Sequence, residues 1–541
     1  MYIRLKHSKK AKYPTMQIVE GIRDGKKVRQ RTVAHLGVVK GQADLKKLKK
    51  LADNLIQKLE KEGLDIDPKT ELSMLKHTKT TYDGFNMVVD ELMKITEFDK
   101  VIQKAQGRHK FNLLETIKLI LIQRFDSPGS KLRTFERQAE HGFHQIDLQH
   151  LYRSMDAIEN LDEVIQQQAF MTVSKYTEGL VDCFFFDVTT LYFESVEQDE
   201  LRDFGFSKDQ KYHTVQIVLA LVVDSQGIPL AYETFKGNLA ETKTLIPVLE
   251  KLRRRFSINN VTVVCDRGLA SKPNVEALKN NNFHFVIATK LKSISKKLKI
   301  NDRSKYTPLP NQQNVPDENK VLIYKTQHPQ YPDTMLVATY SPDRAWKDKD
   351  DRERLLEKLT KKISCSDESS VKNVISNGGY KKYLKVTTGS SLSLNEDAIK
   401  KDAEWDGFHG IAVSNSSGLT AEQALSRYRE LWHVEEAFRV AKSTLKTRPI
   451  FHWAPKRIRS HVLLCFINLF LERFLELLLL KKNLKLTPDR IRQALSQVHT
   501  ITFEDKLSKR QGIMESNLSE DAQKIFQTLG ICTMRKTGSV V

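Results

Sequence analysis

The sequence predicts a mixed α/β protein with helical flanks. Three observations carry this: a series of short apolar strands between about 181 and 290, helices interleaved with the last of them, and helical periodicity over most of what precedes and follows. At 541 residues the chain exceeds one ordinary core, so several units are expected. Changes of pattern divide it into 1–65, 66–176, 177–290, 291–404, 405–465 and 466–541.

Residues 15–36 alternate around Asp24-Gly25, a two-residue hairpin signal, and on the second strand Lys27, Arg29 and Arg31 project to one side. A lysine-rich amphipathic helix follows over about 43–62. Helical periodicity then covers about 84–176, interrupted at Ser127-Pro128-Gly129. From 181 the pattern turns to strands at 183–193, 214–223, 230–235, 261–265 and 284–289. Helices over about 241–256 and 272–280 separate the last three, giving the order β-β-β-α-β-α-β. Between about 291 and 404 a Lys/Asn/Pro-rich opening, short strands at 321–326 and 335–340, and a charged helix near 348–361 read as an insertion. Helical signal resumes at Thr420 and continues with breaks to the end.

Charge narrows the partners. Lys and Arg number 88 against 67 Asp and Glu, a formal +21 that favours a polyanion over an acidic small molecule. The first 50 residues hold 15 Lys/Arg and only Glu20, Asp24 and Asp44 as acids, so this end is expected to meet phosphate. Five scattered cysteines without a C-x-x-C pair give neither a zinc module nor a disulfide framework. The basic start is followed by no apolar signal segment, and a cytoplasmic protein is expected. The most apolar window, 461–480, contains Glu472, Arg473 and Glu476. Each ionised group there would cost roughly 2.5 to 3.5 kcal/mol on insertion. A buried helix is therefore expected, with no membrane partner.

Three acids stand out. Asp187 interrupts Cys183-Phe-Phe-Phe-Asp-Val-Thr-Thr-Leu-Tyr-Phe193, a run whose aromatic and β-branched content otherwise demands a central strand. An unpaired carboxylate there is unfavourable, and a bound cation would offset it. Asp266 ends the apolar run 261–265 and precedes Arg267-Gly268, then a helix that Ser271 caps and Pro273 starts. Ligands bind at such carboxyl ends of strands, although Asp before Arg-Gly is also ordinary turn chemistry. Glu435 lies in a helix opened by a Thr420/Gln423 capping box. At about 100° per residue, Tyr428, Leu431, Phe438, Arg439 and Lys442 fall within roughly 60° of Glu435, and Glu436 about 100° away. That phase places Glu435 on a partly apolar, inward stripe. A surface Glu435/Arg439 pair is the alternative. Together the three carboxylates suit two hard cations holding a phosphodiester for in-line displacement.

These residues resemble bacterial insertion-sequence transposases with a DDE triad on an RNase H-like core. Their third acid lies in a Tyr-x2-Arg-x3-Glu-x6-Lys signature, and Tyr428, Glu435 and Lys442 occupy those positions. Leu431 replaces the Arg. Further matching segments are Gly205-Phe-Ser-Lys-Asp209, Gly237-Asn238 with Glu241-Thr-Lys-Thr244, Asp406-Gly407, and Arg448-Pro-Ile-Phe-His-Trp453. The resemblance implies an RNase H-like mixed sheet carrying a β-rich insertion domain at 291–404. Such an insertion accounts for 169 positions between Asp266 and Glu435 against 79 between Asp187 and Asp266.

The implied activity is cleavage at the inverted repeats of a mobile element and strand transfer into target DNA, of the cut-and-paste type. Asp187, Asp266 and Glu435 would act as catalytic residues and metal ligands. Two Mg2+ ions, with Mn2+ as a substitute, and a homodimer or larger synaptic complex on double-stranded DNA are expected. Tyr428, Arg439, Lys442, Lys27, Arg29 and Arg31 are the expected DNA contacts. With Leu431 apolar, Arg439 and Lys442 are the cations nearest Glu435 in helical phase. A metal-dependent nuclease of the same fold and a non-catalytic DNA-binding regulator remain the alternatives.

Overall fold

The computed structural model describes the chain except residues 8–12, 25–26, 63–74, 178–181, 257–260, 295–297, 311, 365–380, 387–391, 506–510 and 532–541. Two compact units emerge: one of residues 1–158 and 474–541, the other of 159–473.

In the first unit, strands Tyr2–Lys6, Thr15–Asp24 and Lys27–Val38 form an antiparallel sheet. Asp24 pairs with Lys27, so the hairpin is the expected one, and its turn residues 25–26 lie outside the described residues. Alternation sends Met16 and Ile18 to one face with Ala34 and Leu36. Helix Gln42–Glu62 covers that face with Leu45, Leu48, Ala52 and Ile56, which recur at helical spacing. The region expected to be helical is so from Asp83 onward, with helices at Asp83–Ile95, Phe98–Lys104, Leu113–Asp126 and Leu148–Ala157. Asn112 caps the third of these by accepting from Glu115 N–H. A small sheet is an addition to the helical reading. Strand Leu75–Tyr82 pairs antiparallel with His499–Asp505, which pairs with Gln511–Glu515. The partners lie more than 400 residues apart, and no local pattern announces them.

The second unit is organised by one nine-stranded mixed sheet. Its strands are β1 (Cys183–Tyr192), β2 (Gln216–Val223), β3 (Pro229–Lys236), β4 (Thr262–Cys265), β5 (His284–Ala288), β6 (Thr307–Pro308), β7 (Leu322–Gln327), β8 (Thr334–Tyr340) and β9 (Phe408–Ser414). Their order is β6-β7-β8-β9-β5-β4-β1-β2-β3. β1, β4 and β5 are mutually parallel, and the rest join antiparallel. A mixed sheet was expected here, and a mixed sheet is present. All eight residues of β2 are buried, and in β1 the two positions not fully buried are Asp187 and Tyr192.

Helix α1 (Leu245–Phe256) packs by Leu245, Val248, Leu249, Leu252 and Phe256, a stripe of period near 3.6. A short 3-10 turn, Glu241–Lys243, precedes it, so the helix expected from 241 starts four residues late. Helix α2 (Lys272–Asn280) opens as expected, with Ser271 accepting from Asn274 N–H and Pro273 in its first turn.

The segment 291–404 differs from a separate β-rich insertion. Its strands β6, β7 and β8 extend the central sheet, because β8 pairs with β9 along seven residues. Helix Pro342–Ser364 is tied to the same sheet's approach: both guanidinium nitrogens of Arg352 reach Asp406 at 2.5 Å. The apolar window 461–480 lies within helix Pro455–Lys481 and is almost wholly buried, with Glu472 and Arg473 inside. Among the described residues no helix is long and apolar enough to cross a membrane.

Candidate active site

β1 and β4 run parallel with Phe186 opposite Cys265. Asp187 is the next residue of β1 and Asp266 the first residue beyond the end of β4, and neighbouring strands lie about 4.8 Å apart. Two carboxylates therefore come side by side at the sheet's centre. Asp187 is largely buried, its side chain 22% exposed, while Asp266 is exposed where β4 ends. Burial raises the Asp187 carboxyl from an ordinary 3.8 to about 6, against the opposing pull of Lys208 and a Val188 backbone hydrogen bond; Glu241 and Asp266 push it further up.

Lys208 and Glu241 complete this end of the site. The Lys208 ammonium lies 3.0 Å from Glu241 Oε1 and 3.8 Å from Asp187 Oδ1, and donates to the Val188 carbonyl. Glu241 also lies against the turn after Asp266, since a Cβ on Gly268 would sit 3.2 Å from its Oε2. Both residues fall in segments that carry the family resemblance, yet the sequence alone gave neither of them a role. The available signal was their charge within otherwise polar, loop-like motifs.

The signature helix departs from expectation. It is two helices, α3 (Ala421–Arg429) and α4 (Trp432–Arg439), followed by a π-helical turn Val440–Thr444. The Thr420/Gln423 capping box is present. Between α3 and α4, Leu431 N–H bonds to Tyr428 C=O, His433 to Glu430 and Val434 to Leu431, a 3-10 pattern. Such bonds turn the chain about 120° per residue instead of 100°, so phase does not carry across from Tyr428. In consequence Leu431 is buried, Val434, Ala437 and Phe438 form the inward stripe, and Glu435 stands on the exposed face with Trp432 and Arg439. That corrects the inward placement of Glu435.

Each remaining expected residue has a definite place. Tyr428 donates to Asp266 Oδ1 at 3.4 Å and lies 5.0 Å from the His409 ring. Arg439, 68% exposed, pairs with Glu436 at 3.3 Å, not with Glu435, and Glu436 also meets Arg473 at 3.2 Å. Lys442 is largely buried and lies 3.5 Å from Asp209, which Arg448 also engages. Burial and Lys208 lower its pKa to about 8 against the pull of Asp187. Arg31 is half-buried on its strand; the side chains of Lys27 and Arg29 lie outside the described residues. A cleft of about 550 Å3 opens beside Asp266, lined by Arg267, Lys290, Arg344, Trp405, His409 and Tyr428 among others. Asp187 and Asp266 are brought together, but among the described residues no three His, Cys, Asp or Glu side chains are gathered closely enough to hold a metal.

Residues 179–471, more than half of the chain, match the family model described as "Transposase DDE domain". The chain belongs to the transposase DDE domain family. Residues 3–69 of the transposase match a second model, "IS1634 family transposase, N-terminal domain". No curated protein matches it. Among solved structures it is similar to a piggyBac transposase synaptic complex with hairpin DNA, at 10% identity and a TM-score of 0.35 over 77% of this chain and 80% of the other. It is also similar to a Mos1 transposase paired-end complex with the left transposon end, at 12% identity and 0.14 over 44% and 66%. Likenesses of that size carry no argument about mechanism. Membership of the DDE family implies a divalent metal, and two adjacent carboxylates, one of them disfavoured by burial, are oxygen donors suited to one.

The buried acid also makes a stability prediction for the metal-free transposase. Its carboxyl binds a proton more tightly in the folded chain, so the group's favourable contribution is full below about pH 4 and is lost as pH rises through about 6. Asp187→Asn should therefore stabilise the protein at pH 8 by about 1–3 kcal/mol, and by little at pH 4.5. Thermal melts in a chelator at both values measure this. An equal shift at the two pH values counts against burial as the cause.

Proposed function

We propose that Asp187, Asp266 and Glu435 are the catalytic carboxylates of the transposase, holding Mg2+ while strands are cut at the element's ends and joined to target DNA. The observation that supports this is the placement of Asp187 and Asp266, each the residue after the last registered pair, Phe186 opposite Cys265, of two neighbouring parallel strands. A divalent cation, when bound, neutralises charge on the phosphodiester and favours the deprotonated attacking oxygen. Asp187, in the buried strand, is the fixed donor. Tyr428 orients Asp266 through its hydroxyl. Lys208, beside Asp187 and Glu241, balances their charge, and Lys442, held by Asp209, adds a second cation on the same side. Glu435, exposed on α4, joins from the solvent side as DNA is engaged.

The test is an assay on DNA carrying the element's terminal repeats, with Mg2+ or Mn2+ against Ca2+. Joined products with target DNA are expected in the first two. Hydrolysis without any joined product identifies a nuclease, and end binding without cleavage identifies a regulator.

The N-terminal unit supplies a sequence-independent share of affinity on this reading. Lys27, Arg29 and Arg31 alternate in sequence along one strand. Replacing all three by Gln should flatten the slope of log affinity against log salt by roughly 0.9 for each phosphate no longer neutralised. An unchanged slope in a duplex titration removes this hairpin from the interface.

A further inference from the structure

The stretch 446–461, after the signature helices, contains Lys446, Arg448, Lys456, Arg457 and Arg459 and no Asp or Glu. It is anchored to the end of β1: Ile450 N–H donates to Tyr192 C=O at 3.2 Å, and Ile450 bridges Phe193 in parallel. Ile450 is buried, but Phe451 and Trp453 are 67% and 59% exposed. Trp453 is held in place. The Arg202 guanidinium lies 5.6 Å from its ring centroid and 5.6 Å from that of Phe193, and Arg202 is itself fixed to Asp199 at 2.8 Å. Two rings thus follow directly on a buried strand-end anchor and are presented to water, where the hydrophobic effect would otherwise bury them. Aromatic rings interleaved with cations are what unpaired nucleobases on a phosphate backbone require.

We propose that Phe451 and Trp453 form a stacking platform for unpaired bases of a DNA strand, with Lys446, Lys456 and Arg459 meeting its phosphates. Lys456 and Arg459 have partners in Glu159 and Glu200, surface pairs that phosphate can replace. From Asp187 to Phe193 along β1 is about 20 Å, so the platform takes bases several nucleotides from the bond being broken. This rests on the transposase reading above.

The test uses full-length protein and fluorescence anisotropy, with labelled oligo(dT) of roughly 15 nucleotides and, separately, a blunt duplex carrying the element's end. Phe451→Ala and Trp453→Ala should each weaken oligo(dT) binding about fivefold or more, the loss of one stacked base. Trp453→Phe should keep most of the affinity, and duplex binding should stay near wild type. Unchanged oligo(dT) affinity in the double alanine variant overturns the proposal, as does an equal loss on both DNAs. Loss of self-association at unchanged DNA affinity also overturns it, making the rings a contact between copies. A wild-type protein that ignores the duplex end yet binds oligo(dT) through these rings supports the platform and counts instead against end recognition.

Discussion

On the proposed assignment, Asp187→Asn and Asp266→Asn should each abolish strand cleavage at the element's ends, by on the order of a thousandfold, while end binding in Ca2+ should stay near wild type. Each substitution preserves side-chain shape and removes one negative oxygen donor from the two carboxylates, one on β1 and one just past the end of β4. Neither strand should be disturbed, because Asp187 lies within an intact ladder to β2 and Asp266 is already exposed. Glu435→Gln should give the same separation of binding from chemistry. Glu436→Gln should be mild, since Glu436 is committed to Arg439 and Arg473. Near wild-type cleavage by Asp187→Asn or Asp266→Asn in Mg2+ would sink the assignment of the pair. The same result for Glu435→Gln would direct attention to Glu241 as the third acid.

The second large effect is on the fold. Gly237 follows β3, donates to Leu201 C=O, and accepts from the Gln216 amide. A Cβ there would overlap the carbonyl oxygens of Gln216 and Asp203. Both are backbone atoms of paired segments and cannot rotate away. Gly237→Ala should therefore destabilise the sheet-bearing unit by about 3 kcal/mol or more, lowering its thermal transition by roughly 6 °C. Gly41→Ala, which meets nothing within 4 Å, serves as the control. Similar melting of the two variants would show that the β2–β3 edge yields.

Much of the sheet was legible because its strands are apolar, β-branched and short, bounded by turn residues. Asp187 was conspicuous for the same reason: one charge inside an aromatic run. Asp266 and its capped helix were readable from Ser271 and Pro273. The placement of Glu435 was not, because the 3-10 turns at 430–434 contain no Gly or Pro and leave no mark on the sequence. Lys208 and Glu241 escaped for a different reason. They lie 21 and 54 residues from Asp187, and only the folded loops bring them to it. The strands of segment 291–404 were readable, but their pairing partner β9 lies beyond its far end.

That pairing has a consequence for how such a chain can be shortened. β9 is an interior strand, hydrogen-bonded to β5 on one side and to β8 on the other. Excising 291–404 would strip one side of a mostly buried strand and leave a bare, apolar margin of unpaired backbone, the kind of edge that recruits other chains into aggregates. The stretch is therefore integral to the sheet it borders. A trimmed chain would have to rebuild that border with charged or otherwise protective side chains before it stayed soluble.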